Sequence, residues 1–383
     1  MRVLYLNADP GIPVLGHKGA SVHVRELTRA LVRAGIEVVV AAPRIEPEGE
    51  VLDDRAELAA ISPVLPRSLA DPADVRIAMD VQAAEVLAVA RAHGADAIYE
   101  RFSLFSDAGV RAAAALRIPH ALEVNAPLRE EASRFRTLPH ARLAAQVERE
   151  VLEATGRVLV VSAPLVERVV AAGARPGSVE VLPNGVASEV PLATPDSTSD
   201  SLTVGFAGSL KAWHGVEVLL EAVGLAAAEE PRIRLEVVGH GPLAHLISES
   251  TLGEARLRHL GALSHGETLA RVATWDVGAA PYLPLEDFYF SPLKVLEYMA
   301  AGICSVASAL GELPDLLGAG ERGLLVRPGD ASDLAGALVG LAQDPERRLR
   351  MGLAARAHVI AHRGWDVNAG RVLAALAPAT VSR

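Results

Sequence analysis

Residues 2–42 and 202–238 repeat one pattern, and that pattern narrows the fold of this 383-residue chain more than any other feature. Each stretch opens on a short apolar run, Val3-Leu4-Tyr5-Leu6 and Leu202-Thr203-Val204-Gly205-Phe206. A glycine-bearing loop follows, Gly11 to Gly19 and Gly208 to Gly215. Apolar residues then recur at helical spacing: Val24, Leu27, Leu31 and Ala34 before the stop signal Gly35, and Val216, Leu219, Leu220 and Val223. A second apolar run closes each stretch, Glu37–Ala42 and Ile233–Val238. Strand, glycine loop, helix, strand is the opening of a Rossmann-like unit, in which helices join parallel strands. Further strands are predicted at Ala97-Ile98-Tyr99, Ala121–Val124 and Val158–Val161.

Two such openings predict two domains, 1–186 and 202–362. Between them 187–201, ASEVPLATPDSTSDS, lacks periodicity and reads as a linker. The tail, 363–383, carries a final helix from Gly364 to Leu376 that is expected to cross back to the first domain. The fold class is thus α/β, with two Rossmann-like domains expected to face each other across a cleft. Clefts between domains and the carboxyl ends of parallel strands are where ligands bind.

Composition agrees. Hydrophobic residues are 50% and aromatics 4%, an Ala-, Val-, Leu- and Gly-rich mixture suited to parallel sheets covered by helices. The net charge of −10 argues against nucleic acid as a partner, so any phosphate site must be local. The single Cys304 excludes an internal disulfide. No signal peptide and no run of about eighteen apolar residues is present, which makes a cytoplasmic location the expectation and leaves peripheral membrane contact open. No metal-ligand spacing is visible among the His, Asp and Glu residues.

The densest chemistry lies in Ser291-Pro292-Leu293-Lys294-Val295-Leu296-Glu297-Tyr298-Met299-Ala300-Ala301-Gly302. It reads as a helix with Pro292 in its first turn. A helix N-terminus offers backbone N–H groups and positive dipole to an anion. Lys294 adds a full charge, and Glu297, three residues on, can accept two hydroxyls of one sugar ring. These features suit a nucleotide-sugar; the plain alternative is a surface helix with a Lys–Glu pair. Elsewhere, Glu123 and Asn125 alternate with apolar residues near a strand end and so share a direction. Glu100-Arg101 reads as a structural ion pair.

The segments FAGSLKAWHGVEVLLEA, VGHGPL, HLGALSHGE, VGAAPY, SPLKVLEYMAAG and GLLVRPGD, in that order, resemble glycosyltransferase family 4, retaining enzymes of the GT-B fold that use nucleotide-sugar donors. GHKGASVHVRELTRAL resembles the family's acceptor-side loop and first helix. The resemblance implies a role for Glu297 on the donor ribose and for the N–H groups of Leu293 and Lys294 on the diphosphate. It puts Gly239 and Gly241 in the donor pocket and the base at the turn around Ala262 and Leu263. Gly19, Gly208, Ser209, Lys211, His214, His240, Ser291 and Pro292 complete the candidate donor site. His17, Lys18, Glu123 and Asn125 form the candidate acceptor site, and Lys211, Lys294, Asn125 and Glu123 are the candidate catalytic groups.

The chain departs from the family pattern in three places. Tyr289 stands where the first Glu of the Glu-x7-Glu motif is expected, with Glu286 and Asp287 as alternatives. Ser209 and His214 stand at the usual Arg and Lys of the phosphate loop, with Lys211 placed to supply the charge. Asn125 stands at a frequent His. The expected activity is retaining, metal-independent transfer of a sugar from a nucleotide-sugar, a UDP-sugar first, to an unidentified acceptor, with no cofactor. A non-catalytic nucleotide-sugar-binding or partner subunit and a nucleotide-sugar epimerase are the alternatives. A Rossmann dehydrogenase is disfavoured, since no G-x-G-x-x-G follows the first strand.

Overall fold

The computed structural model describes residues 1–45, 50–135, 137–187, 189–194, 200–285 and 287–377. They pack as two units. The first comprises Met1–Asn184, Tyr289–Ser291 and the chain from Trp365 onward; the second comprises Gly185–Phe288 and Pro292–Gly364. Part of the expected linker, 188 and 195–199, lies outside the described residues, as does the end of the expected tail, 378–383.

In the first unit the elements run β1 (Arg2–Asn7), α1 (Gly19–Arg33), β2 (Glu37–Ala42), β3 (Glu57–Ala60), α2 (Pro72–Ala92), β4 (Ala97–Arg101), α3 (Ala108–Leu116), β5 (His120–Val124), α4 (Leu128–Phe135), α5 (Ala141–Ala154), β6 (Arg157–Val160), α6 (Pro164–Ala172) and β7 (Val179–Val181). The strands form one parallel sheet in the order β3-β2-β1-β4-β5-β6-β7. The order reverses beside β1, the switch point at which open parallel sheets leave room for ligands. Both faces are covered. On one face, Leu4, Leu6, Val39 and Ile98 pack against Val86 and Ala112, and Leu122, Val124, Val158 and Val160 against Val147, Val151 and Leu165; on the other, Val3, Tyr5, Val40, Tyr99 and Leu159 are buried as well. Burial of both faces explains why these strands read as unbroken apolar runs.

β4 is longer than the sequence suggests and takes Glu100 and Arg101 into the sheet. The two residues leave it on opposite faces and do not pair as expected. Glu100 meets His120 at 2.9 Å, and Arg101 lies 3.6 Å from Glu123. Strand alternation decides this, and adjacency in sequence does not.

The second unit runs β8 (Leu202–Ala207), α7 (Val216–Glu229), β9 (Ile233–Val238), α8 (Ala244–Ser248), β10 (Leu257–His259), α9 (His265–Val272), β11 (Val277–Ala280), α10 (Leu293–Ala301), β12 (Cys304–Ser308), α11 (Leu313–Leu317), β13 (Gly323–Val326), α12 (Ala331–Gln343) and α13 (Pro345–His362). Its strands are all parallel, in the order β10-β9-β8-β11-β12-β13. Val204, Phe206, Leu235, Val237 and Val306 form the core with Leu219, Val223, Leu334 and Leu338. The last helix, α14 (Trp365–Leu376), packs on α1 of the first unit, where the Trp365 ring stands edge to face with His23 at 4.8 Å. No helix among the described residues is long and apolar enough to cross a membrane.

Candidate active site

In the second unit, α10 opens with Pro292 as its N-cap, one position before the first turn where the sequence reading set it; its ψ of 94° is extended. Leu293 and Lys294 head the helix, where backbone N–H groups have no earlier helical carbonyl to bond. Lys294 is buried. Its Nζ lies 4.0 Å over the Phe206 ring and 5.4 Å from the Tyr282 ring, with no hydrogen-bond partner among the described residues. A Cβ placed on Gly208 would meet this Nζ at 2.9 Å, so the ammonium lies against the loop that follows β8. Burial pushes the Lys294 pKa down to about 7, with Glu297 opposing the shift.

His214 stands among the Phe206, Trp213 and Tyr282 rings. Its Nδ1 bonds the Ser209 carbonyl, and burial with the neighbouring Lys294 and Lys211 charges holds the ring well below its usual pKa. The ring is therefore neutral at pH 7, with Nδ1–H committed to Ser209. Its Nε2 accepts and does not donate, and Lys294 carries the buried positive charge. The Lys211 Nζ lies 4.8 Å from the Trp213 ring.

The loops after β8 and β9 meet backbone to backbone. Gly208 N–H bonds the Val238 carbonyl at 3.0 Å and Leu210 N–H bonds the His240 carbonyl at 3.1 Å. Gly239 has φ +132°, and a Cβ there would fall 2.0 Å from the Gly208 oxygen. A Cβ on Gly241 would fall 2.7 Å from the Leu210 nitrogen. These two glycines let the loops touch, which is what their spacing after a strand requires. The His240 side chain is exposed, and Leu263 is half-buried in the loop before α9.

Glu297 lies one turn into α10, half-buried, with His265 Nε2 at 2.8 Å from its Oε1. The sequence reading missed His265. Ser264 and Glu267 form a capping box that starts α9 at this residue, but only the packing of α9 on α10 brings the ring to Glu297. Tyr298, the next residue of the same helix, accepts the Ala207 N–H at 2.8 Å and ties α10 to the end of β8.

Ser291 and Tyr289, just upstream, pack with the first unit. The Ser291 hydroxyl accepts the Asn184 N–H at 3.0 Å and its carbonyl accepts Asn184 Nδ2 at 2.7 Å. Tyr289 is buried among first-unit apolar residues, donates its hydroxyl proton to Glu131 and sits under Arg168 at 5.9 Å. This aromatic residue is absorbed into the first-unit core. Of the two alternatives, Asp287 is exposed and Glu286 lies outside the described residues.

In the first unit, His17 is exposed with its Nδ1 3.4 Å from the Glu50 carboxylate, and Lys18 Nζ donates to the Gly11 carbonyl at 2.8 Å. Gly19 is the first residue of α1. Buried Arg25 donates to the carbonyls of Val14 and Gly16 at 3.0 and 2.5 Å and so shapes this loop from below. Glu123 is buried at the carboxyl end of β5, with His23 Nε2 at 2.6 Å. Burial alone would raise its pKa, but His23, Arg101 and Asn125 outweigh it and keep the carboxylate below its usual value. Asn125, just past β5, is half-buried. Among the described residues, no three His, Cys, Asp or Glu side chains group as a metal site.

The family model described as Glycosyltransferase Family 4 matches residues 17–190, and the one described as Glycosyl transferases group 1 matches residues 201–344. The chain belongs to glycosyltransferase family 4. A phosphatidyl-myo-inositol mannosyltransferase of Mycolicibacterium smegmatis is 33% identical over 160 residues, covering 42% of this chain and 40% of the relative. A D-inositol 3-phosphate glycosyltransferase of Kribbella flavida is 30% identical over 269 residues, covering 63% of this chain and 60% of the relative. These matches thus span about half the length of the curated relatives. The solved structure of Anabaena Alr3699/HepE in complex with UDP-glucose superposes with a TM-score of 0.71 at 18% identity, over 98% of this chain and 100% of that one. At that identity it shows the fold, the two-domain GT-B architecture. Within this family setting, Lys294 places its charge beside the loop where Ser209 and His214 replace the expected Arg and Lys.

Proposed function

We propose that this family 4 chain is a retaining glycosyltransferase that moves a sugar from a UDP-sugar to an acceptor held by its first unit, without a metal ion. The observation that carries the reading is the buried, unpartnered Lys294 ammonium, set at the N-terminus of α10 and against the Gly208 loop, with Glu297 one turn further on. Departure of a nucleoside diphosphate needs its charge met by fixed donors and cations. The Leu293 and Lys294 N–H groups, the helix dipole and the Lys294 ammonium supply them from one element. Glu297, held by His265, is placed to accept two ribose hydroxyls. Retention follows the family resemblance, with the leaving phosphate taking the acceptor proton on the same face. The choice of UDP is supported by the UDP-glucose bound in the HepE structure. The names of the two curated relatives make inositol phosphates the first acceptor probes.

The test is a thermal-shift panel of UDP, GDP, ADP, CDP and dTDP, followed by product analysis with the matching nucleotide-sugar. Binding at a hundredfold excess over Kd adds about 2.7 kcal/mol. UDP is expected to give the largest shift and Lys294→Met to remove it. A larger shift with another nucleotide overturns the base, and no shift with any overturns the donor site. An isomerised donor with no transfer would move the reading to an epimerase.

A further inference from the structure

The loop after β8 brings two nitrogen-bearing side chains together at Gly208. A Cβ there would meet Lys294 Nζ at 2.9 Å and His214 Cε1, the ring carbon next to Nε2, at 4.0 Å. The His214 ring lies 6.1, 5.9 and 5.7 Å from the rings of Phe206, Trp213 and Tyr282, centroid to centroid. Its Nδ1 faces the Ser209 carbonyl, and a carbonyl oxygen only accepts, so Nδ1 carries a proton. The charges that act on the ring are the Lys294 and Lys211 ammonium groups, with no carboxylate among them. A second ring proton is therefore disfavoured, and Nε2 keeps its lone pair. No hydrogen bond reaches Nε2 among the described residues.

Gly208 is thus bordered by one nitrogen that only donates and one that only accepts. Phosphate oxygens at neutral pH are acceptors, so the ammonium attracts them and the Nε2 lone pair repels them. A hydroxyl has the opposite fit and can give its proton to Nε2. A nucleotide-sugar carries hydroxyls on its ribose and on the sugar to be transferred. With the ribose on Glu297, the hydroxyls that accompany a phosphate at Lys294 are those of the sugar bonded to it.

We propose that His214 Nε2 accepts a hydrogen bond from a hydroxyl of the transferred sugar, and so favours the nucleotide-sugar over the bare nucleotide, while Lys294 meets the phosphate. The inference rests on the reading of this loop and α10 as the donor site. It changes the role of position 214: the residue there does not replace a phosphate-binding cation but reads the sugar.

The test is titration of the full chain with UDP, UDP-glucose, UDP-galactose and UDP-N-acetylglucosamine, then with monofluorinated analogues of the tightest of these sugars, one hydroxyl replaced in each. Fluorine is close to a hydroxyl in size and cannot donate. In the wild type, one UDP-sugar is expected to bind about tenfold or more tightly than UDP, and one analogue to lose much of that gain. His214→Phe, which keeps an aromatic ring among the other three, is expected to bind that UDP-sugar no better than its analogue and to hold UDP within about threefold of the wild type. His214→Gln, whose side-chain oxygen accepts, is expected to restore part of the difference. Equal weakening of UDP and every UDP-sugar in His214→Phe makes the residue a phosphate or packing contact and overturns the proposal. So does an analogue difference that survives in that variant. A wild type that binds UDP with no gain from any sugar also overturns it and leaves the donor reading standing. No binding of UDP or any UDP-sugar overturns the donor reading, and the proposal with it. If His214→Phe does not fold, nitrogen NMR of histidine-labelled wild type in its UDP-sugar complex decides: one ring must keep a bare nitrogen at pH 5, and a spectrum with every ring doubly protonated overturns the proposal.

Discussion

The ammonium of Lys294 lies 4.0 Å above the ring of Phe206, a residue of β8, with no hydrogen-bond acceptor among the described residues to hold it. A cation–π contact offsets only part of the desolvation of a buried charge. The ligand-free protein therefore holds this charge at a cost, and a bound diphosphate would remove it. Stability and function are opposed at this residue, as they commonly are at preorganised sites.

Proton uptake follows. With its pKa near 7, Lys294 is mostly neutral at pH 8, and an adjacent diphosphate raises it. UDP binding at pH 8 is thus expected to take up a proton, and affinity should fall by up to about tenfold per pH unit above 7. Calorimetric titrations in two buffers of different ionisation heat measure the uptake directly. No uptake, or the same uptake in Lys294→Met, would remove Lys294 from the phosphate site.

Stability of the ligand-free protein should move the other way. The folded-state pKa lies below the ordinary 10.5, so between about pH 7 and 10.5 the unfolded chain binds the extra proton. Stability from this group therefore rises with pH across that window. Lys294→Met should raise the Tm at pH 7 and flatten its rise toward pH 10. A lowered Tm in this variant would show that the ammonium is well solvated or paired.

Glu297→Ala should weaken UDP binding at least tenfold, about 1.4 kcal/mol, because the ribose diol loses a charged acceptor. His265→Ala, which frees the Glu297 carboxylate from its 2.8 Å contact, should weaken binding less. Titration of UDP against both variants checks the order. Unchanged affinity in Glu297→Ala would sink the ribose assignment.

Gly239→Ala tests the loop contact. The new methyl would fall 2.0 Å from the Gly208 oxygen at a φ of +132° that L-residues rarely adopt. A loss of about 2 kcal/mol or more is expected on chemical denaturation, together with loss of nucleotide binding. A variant of wild-type stability would mean that the loops separate easily.

Tyr289→Phe removes only the hydroxyl bonded to Glu131. A loss of about 1 kcal/mol of first-unit stability is expected, with UDP-sugar affinity unchanged. A selective loss of affinity for the UDP-sugar over UDP would instead return Tyr289 to sugar recognition.

Much of the fold was legible because it rests on short-range patterns. The apolar runs at residues 3–6 and 202–206, the helical spacing after each and the glycines between them are set by local periodicity and by backbone sterics. Strand extension was less legible: Glu100 and Arg101 look like a structural ion pair with each other, because only sheet register shows that both are inside β4 and leave it on opposite faces. At the candidate donor site, Lys294 and Glu297 stand out from helix-start signals, whereas Leu293, Gly239 and Gly241 enter through the family resemblance.

What the sequence alone determined is the α/β class, the doubled Rossmann-like opening and the helix that carries Lys294 and Glu297, all consequences of periodicity within a few turns of chain. Tertiary structure alone decided what those side chains meet: Lys294 on Phe206, Glu297 on His265, Tyr289 on Glu131, and Glu123 beside both Arg101 and His23. Each pair joins different strands, helices or loops. Such pairings depend on how sheets order their strands and how helices cover them, and on the low dielectric this creates, none of which a local pattern encodes.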